Sequence, residues 1–338
     1  MKNATMKAIA EEAGVSLTTV SCILNKKNLK YSAATKDRIY AIAERLKYRP
    51  NALIHGMQTG KSGMAGVMIP NNTWFYSQIN SGIHDIFSKS STLMLLNWNY
   101  KCFTDEDLNL ERSIIHQMIE RRVEGILLRP SFEGFQKSYF EEILERNIPL
   151  ILVDRELAEL KTDYVGTDDT YGGQQAAKHL LSLGHKRALY VGADKVSTSH
   201  HRQRGFQKKW EATTGKQAEV MNSEDDDFEN ELSKILKKKK SRPTAVFCIN
   251  DSVAGRVISI AEACGLSIPE DLSIIGFGDE RLGHVRHDLT TFDQHPIQIG
   301  QTAAKLYLER TQETEHTDTQ SILIKPQLLI KGTTQKPN

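Results

Sequence analysis

Apolar residues recur at helical spacing through the stretch Met6–Asn25, and they predict two short helices. Ile9, Ala10 and Ala13 share one face of the first. Gly14 then allows a backbone conformation that suits a tight turn, and Ser16 is placed to cap the second helix. In that helix Val20, Ile23 and Leu24 fall on one face, while Leu17, Thr18, Ser21 and Cys22 fall on the other. Ser32 caps a third helix running to about Leu46, with Ile39, Ile42, Ala43 and Leu46 as its stripe and Lys36, Arg38, Arg45 and Lys47 on its flanks. Two short helices around a glycine turn, with a small polar outer face, fit a helix-turn-helix DNA reader. Taken alone, they also fit a helical hairpin inside a larger core.

Residues 48–61 break the pattern. Pro50 suits a first helical turn, but Gly56 weakens the segment and it is too short to hold helix unaided. It reads as a linker that orders when something packs on it, or as a flexible tether. From Met64 the pattern becomes α/β. Apolar strands at 64–69, 93–96, 125–128 and 150–153 alternate with helices near 78–89, 108–121 and 139–146. A second series has strands at 188–191, 245–249 and 272–277 among helices near 172–183, 203–213, 229–238 and 252–264. Such alternation predicts buried parallel sheets covered on both faces, here as two similar lobes with a cleft between them. Ligands of open parallel sheets bind beyond the carboxyl ends of the strands.

Charge sharpens the picture of the first helices. The 338-residue chain carries a net +2, but residues 1–61 hold eleven Lys/Arg against four Asp/Glu, leaving the remainder acidic. A basic head on an acidic body points to a polyanionic partner. The four cysteines have neither CxxC spacing nor histidine partners, which fits a reducing compartment. No stretch has the length of a signal peptide's apolar core at the N-terminus or of a membrane span, so a cytoplasmic protein without membrane contact is expected. P-loop, GxGxxG, GxSxG and HExxH motifs are lacking, which argues against an enzyme built on the two lobes. A transport-type sugar binder would need an export signal and would have no basic head.

Four groups of residues carry a resemblance. Ala13-Gly14-Val15-Ser16 runs into Thr19-Val20-Ser21, and Tyr48-Arg49-Pro50-Asn51-Ala52 leads to Thr59-Gly60-Lys61-Ser62. Ala177-Lys178-His179-Leu180 continues through Leu183-Gly184-His185. Pro243-Thr244-Ala245-Val246-Phe247 and Asn250-Asp251 precede the run Ile268-Pro269-Glu270-Asp271-Leu272-Ser273-Ile274-Ile275-Gly276-Phe277 and Leu289-Thr290-Thr291. In this order and spacing the chain resembles the lactose-repressor/galactose-repressor (LacI/GalR) family of bacterial transcription regulators, over nearly its whole length.

The resemblance implies an all-α helix-turn-helix DNA-binding head (residues 1–47), a hinge helix or linker (48–61) and an α/β, two-lobed, periplasmic-binding-protein-like effector and dimerisation domain with parallel sheets (62–338). Lobe 1 would take about 62–165 and 294–325, lobe 2 about 166–293 and 326–338. The expected function is repression by a homodimer bound to a palindromic double-stranded operator, under control of a small-molecule effector, a sugar or related metabolite. No cofactor or metal is expected. The tail from Lys325 has no heptad repeat, which favours a dimer over a tail-zippered tetramer.

By position, Leu17, Thr18 and Cys22 would face base edges, helped by Asn25, with Ser16, Ser21, Lys36 and Arg38 positioning phosphates. Packing is the alternative for Leu17 and Cys22. Cys22 stands where the family usually has an arginine, and a thiol cannot reproduce bidentate reading of guanine. In the hinge, Met57 would wedge into the minor groove, and His55 replaces a common arginine. In the cleft the matching positions are Phe75, Tyr76, Ser131, Asp154, Arg202 and Asn250, with the aromatics open to a core role instead. The family's aspartate after strand 272–277 is Gly278 here, leaving Asp279 as the neighbouring carboxylate. His185 reads as structural, stabilised at a helix C-terminus, and His200-His201 as solvent or cleft lining. Glu224–Asp227 reads as a surface loop.

Overall fold

The computed structural model describes residues 5–25, 31–49, 61–90, 92–96, 105–130, 138–157, 160–194, 196–280, 287–312 and 318–338. His55, Met57 and Ser131, with most of the 48–61 linker, lie outside the described residues. Two compact units divide at Ser62.

The first unit holds α1 (Met6–Ala13), α2 (Leu17–Leu24) and α3 (Ala33–Arg45). Thr5, Ser16 and Ser32 each cap a helix through the side-chain oxygen, satisfying amides that would otherwise go unpaired. Gly14 ends α1 at φ 63°, a left-handed angle at which a Cβ would be strained. Ile9, Val20 and Ile39 meet at the centre of a small core, with Ile23, Ile42 and Ala43 around them.

The second unit contains two parallel sheets. The larger has the order β11-β5-β4-β3-β1-β2, from β1 (Met64–Met68), β2 (Leu93–Leu96), β3 (Ile126–Leu128), β4 (Leu150–Val153), β5 (Asp163–Thr167) and β11 (Ser321–Ile324). The smaller has the order β7-β6-β8-β9, from β6 (Ala188–Gly192), β7 (Glu219–Asn222), β8 (Ala245–Cys248) and β9 (Ser273–Ile275). Inner strands β3, β4, β6 and β8 are buried throughout, whereas the edges β2, β7 and β11 are partly exposed. Burial on both faces accounts for uninterrupted apolar runs in the inner strands. A third, antiparallel ribbon joins β10 (Thr291–Asp293) to β12 (Gln327–Leu329).

Helices cover both faces of each sheet. On the first lobe α4 (Trp74–Ser90) and α11 (Pro296–Arg310) pack on one side, and α5 (Asp105–Glu120) and α6 (Ser138–Glu145) on the other. On the second, α7 (Asp169–Ser182) and α8 (Ser197–Thr214) face α9 (Phe228–Leu236) and α10 (Asp251–Ala263) across the sheet. Each lobe has one helix pair in backbone contact. A Cβ at Gly173 would fall on the carbonyl of Arg202 and one at Gly205 on that of Thr170, while Gly82 meets Ile297 and Gly300 meets Ile79 in the same way. The chain passes between lobes at 167–169, 293–296 and 324–327.

His185 is buried, with Nε2 donating to the Gln335 carbonyl at 2.9 Å and Nδ1 2.9 Å from Thr244 Oγ1. Burial lowers its pKa, so a neutral imidazole tying down the C-terminal tail replaces the expected charge–dipole interaction.

Candidate functional site

On the head, Leu17 and Thr18 stand exposed on the first turn of α2, Leu17 by 52%. Ser16, also exposed, accepts from the Thr19 amide at 3.1 Å. Ser21 is half-buried and accepts from Asn25 Nδ2 at 3.3 Å, so these two candidates hold each other. Lys36 and Arg38 project from α3 into solvent. Cys22 departs from expectation. It is 7% exposed and turned inward against Tyr31, whose hydroxyl pKa is raised by partial burial and then by that thiol. A small, weakly polar side chain loses little by packing inward and has no reach to leave the contact. Base-edge contact by Cys22 is therefore replaced by a packing role, and the exposed face of α2 is left to Leu17 and Thr18.

In the two-lobed unit, Phe75, Tyr76, Asp154, Arg202 and Asn250 line one cavity with about 230 Å³ of free space at the strand ends. Phe75 and Tyr76 sit on the first turn of α4, ring centroids 5.2 Å apart and edge to face. The Tyr76 hydroxyl donates to Asp154 Oδ2 at 2.8 Å and accepts from Arg129 Nε at 3.1 Å. Burial pushes that hydroxyl up to about 12, so it remains a donor at any physiological pH. Asp154 ends β4 at φ 68°, a conformation that costs a non-glycine residue on the order of 1 kcal/mol and here aims its carboxylate at Tyr76.

The opposite wall is organised around Arg202. Its guanidinium lies 3.7 Å from the centre of the Phe277 ring. Nε donates to Asp169 Oδ1 at 2.7 Å, Nη2 to Gln294 Oε1 at 3.1 Å, and Nη1 to the Ile249 carbonyl. Gln294 Oε1 also accepts from Thr167 Oγ1 at 3.0 Å. One buried cation thus joins two of the passages between lobes. Burial raises Asp169 to about 6 even though Arg202 pulls the other way. Asn250 Oδ1 caps α10 by accepting from Val253 N at 2.8 Å, so this cavity residue also has an architectural task.

Asp279 does not reach the cavity. At φ 51° its carboxylate turns to Lys331 Nζ, 2.8 Å away, and its amide to Thr291 Oγ1. The wide φ of 141° at Gly278 redirects the chain so that Glu280 lines the cavity instead. The Glu280 amide donates to Asp251 Oδ2 at 2.7 Å, and burial followed by the Asp251 charge raises its carboxyl pKa. Sequence reasoning missed Glu280, Gln294 and Glu224. Glu224, read as part of a surface loop, is exposed yet lines the cavity. The one signal for Gln294 was its place at the start of the returning segment. Among the described residues no cluster of His, Cys, Asp or Glu could hold a metal ion, and no helix is long and apolar enough to cross a membrane.

Two parallel lobes that exchange the chain three times and share a cavity at their strand ends form a periplasmic-type binding module, and the three-helix unit before them is a helix-turn-helix domain. Residues 5–51 match the lacI family of bacterial regulatory proteins, and residues 177–334 match a periplasmic binding protein-like domain. The HTH-type transcriptional repressor PurR of Aliivibrio fischeri is 31% identical over 326 residues, covering 93% of both chains. A lac repressor dimer bound to operator and the anti-inducer ONPF shares the fold with a TM-score of 0.79 at 21% identity, over 99% of this chain and 100% of that one. A LacI family regulator of Enterococcus faecium with bound ribose matches with a TM-score of 0.66 at 26% identity, over 81% of this chain and all of the other. The chain belongs to the lacI family of bacterial regulatory proteins, with a periplasmic binding protein-like domain after its helix-turn-helix.

Proposed function

We propose that the chain acts in the cytoplasm as a homodimer whose two heads bind a roughly palindromic operator, and that a neutral sugar or related polyhydroxylated metabolite in the interlobe cavity controls that binding. The cavity carries the reading. It sets an aromatic pair, Phe75 and Tyr76, against the polar wall of Arg202, Asn250 and Glu280, the combination that suits a ring with an apolar face and hydroxyl edges. The operator-bound lac repressor dimer and the ribose-bound regulator support the same assignment by likeness. Arg202 reaches the lobe crossings through Asp169 and Gln294, so a ligand touching it acts on the segments about which the lobes would turn.

On DNA, Leu17 would contact a thymine methyl and Thr18 would form one hydrogen bond, with Asn25 adding to the base reading and Ser16, Ser21, Lys36 and Arg38 setting register on phosphates. Selection of operators from random duplexes should return a symmetric sequence. Against it, Leu17→Ala is expected to cost about 1 kcal/mol at one base position, and Lys36→Ala to lower the salt slope by about one. A thermal-shift screen of sugars, sugar phosphates and nucleosides tests the cavity, because a ligand raises apparent stability by mass action. No preferred symmetric sequence, with or without any compound, would overturn the reading. A stable tetramer by light scattering would overturn the dimer.

A further inference from the structure

Among the described residues, a side-chain pair outside the Arg202 network joins the lobes directly across the cleft. Glu156 follows β4 on the first lobe, and its Oε1 meets Nε2 of His201, on α8 of the second. Neither partner belongs to the walls of the cavity just described. Their side chains are 39% and 30% exposed, at the boundary between protein and solvent, where a proton can reach them. We propose that Glu156 and His201 form a proton-tuned clasp that holds the two lobes closed over the effector cavity. The clasp regulates the site assigned above and rests on that reading.

The surroundings of His201 set the sign of the effect. Glu156 faces it from the first lobe, Arg204 from its own helix with Nη2 2.7 Å from His201 Nδ1, and Asp169 from α7. Tyr164 of β5 stands near Glu156. With a neutral imidazole, Arg204 donates to Nδ1 and Nε2–H donates to Glu156. A proton added at Nδ1 turns that nitrogen into a donor, and exposed Arg204 swings into solvent at little cost. The contact to Glu156 then becomes an ion pair, stronger than the neutral hydrogen bond. The Glu156 bond, first among the causes, raises the His201 pKa and lowers that of Glu156. A histidine raised by its partner contributes fully below its ordinary value, and the contribution fades as pH rises through the folded value. The lobes are therefore held most firmly in mildly acidic solution and loosened in mildly alkaline solution.

Spin labels at positions 88 and 208, exposed sites on α4 and α8, report the distance between lobes in the full chain without effector or DNA. Between pH about 6 and about 9 the short-distance population is expected to fall, with a midpoint above the ordinary imidazole value. In Glu156→Gln and in His201→Gln that fall should vanish, leaving a population that no longer follows pH. Both side chains are partly exposed, so both variants should fold. A distance distribution independent of pH in the parent chain, or a pH response that survives either substitution, would overturn the clasp. The cavity reading is tested separately by the ligand screen, so either can fail while the other stands.

Discussion

The two walls of the cavity are built to different plans. On the first lobe the Tyr76 hydroxyl donates to Asp154 and accepts from Arg129, two bonds that lie within that lobe. On the second lobe Arg202 sends bonds outward to Asp169 and Gln294, at two of the places where the chain changes lobes. A ligand touching Tyr76 disturbs bonds within one lobe, whereas one touching Arg202 disturbs the connection between halves. Under the proposed function, recognition would fall to the first wall and transmission to the second.

Arg202→Ala should have the largest effect. It strands the buried Asp169 carboxylate and removes the stack on Phe277, so chemical denaturation should report a loss of about 3–5 kcal/mol together with a lost ligand response. The same pair carries a pH signature. Asp169, raised to about 6 from 3.8, keeps a proton in the native state that the unfolded chain has released. Stability should therefore fall as pH rises across that window, and Asp169→Asn should flatten the slope. Smaller effects follow from the helix contacts. Gly173→Ala and Gly82→Ala should each cost roughly 1–3 kcal/mol through backbone collision. Only Gly173→Ala displaces Arg202, so only it should weaken the response to effector beyond the stability loss. Equal ligand responses in the two variants would break the contrast between walls. Tyr76→Phe should cost about 1–2 kcal/mol by leaving Asp154 without its donor and should weaken ligand affinity while leaving the coupling to DNA intact. Asp279→Ala, which leaves the partly exposed Lys331 with Asp288 as its ion-pair partner, should cost under about 1 kcal/mol and leave ligand binding unchanged.

The elements with a strong pattern were legible in the sequence. The inner strands are continuous apolar runs, and the three head helices carry both stripe and cap. The strands that escaped notice are short, amphipathic or polar: Glu219–Asn222 and Ser321–Ile324 are partly exposed edges, Asp163–Thr167 mixes an aspartate and a threonine into a buried strand, and Thr291–Asp293 and Gln327–Leu329 have three residues each. The helix Pro296–Arg310 was also missed, although its segment was expected to return to the first lobe. Helix starts were placed too late. α4 begins at Trp74 rather than near Gln78, and α8 at Ser197 rather than near Gln203, so Tyr76 and Arg202 stand on helices instead of loops. Five cavity positions were reached by likeness to the family, but their connections were not. Which carboxylate faces the cavity after β9 depends on backbone angles at Gly278 and Asp279 that no residue pattern reveals. The inward turn of Cys22 depends on Tyr31, nine positions away and beyond the reach of helical periodicity.

One edge strand of the larger sheet, Ser321–Ile324, comes after every strand of the smaller sheet in chain order. During synthesis the smaller sheet, whose final strand ends at Ile275, can be assembled while the larger still lacks both this strand and the helix before it. Both lobes wait for the residues after 320, the larger sheet for its edge strand and the second lobe for β12 and for Thr333, which bonds Ile274. A ribosome stalled before residue 321 would therefore display the smaller sheet beside an open-edged larger one, with the C-terminal segment of the second lobe still unmade, and premature termination there would release a chain prone to pairing through that bare edge.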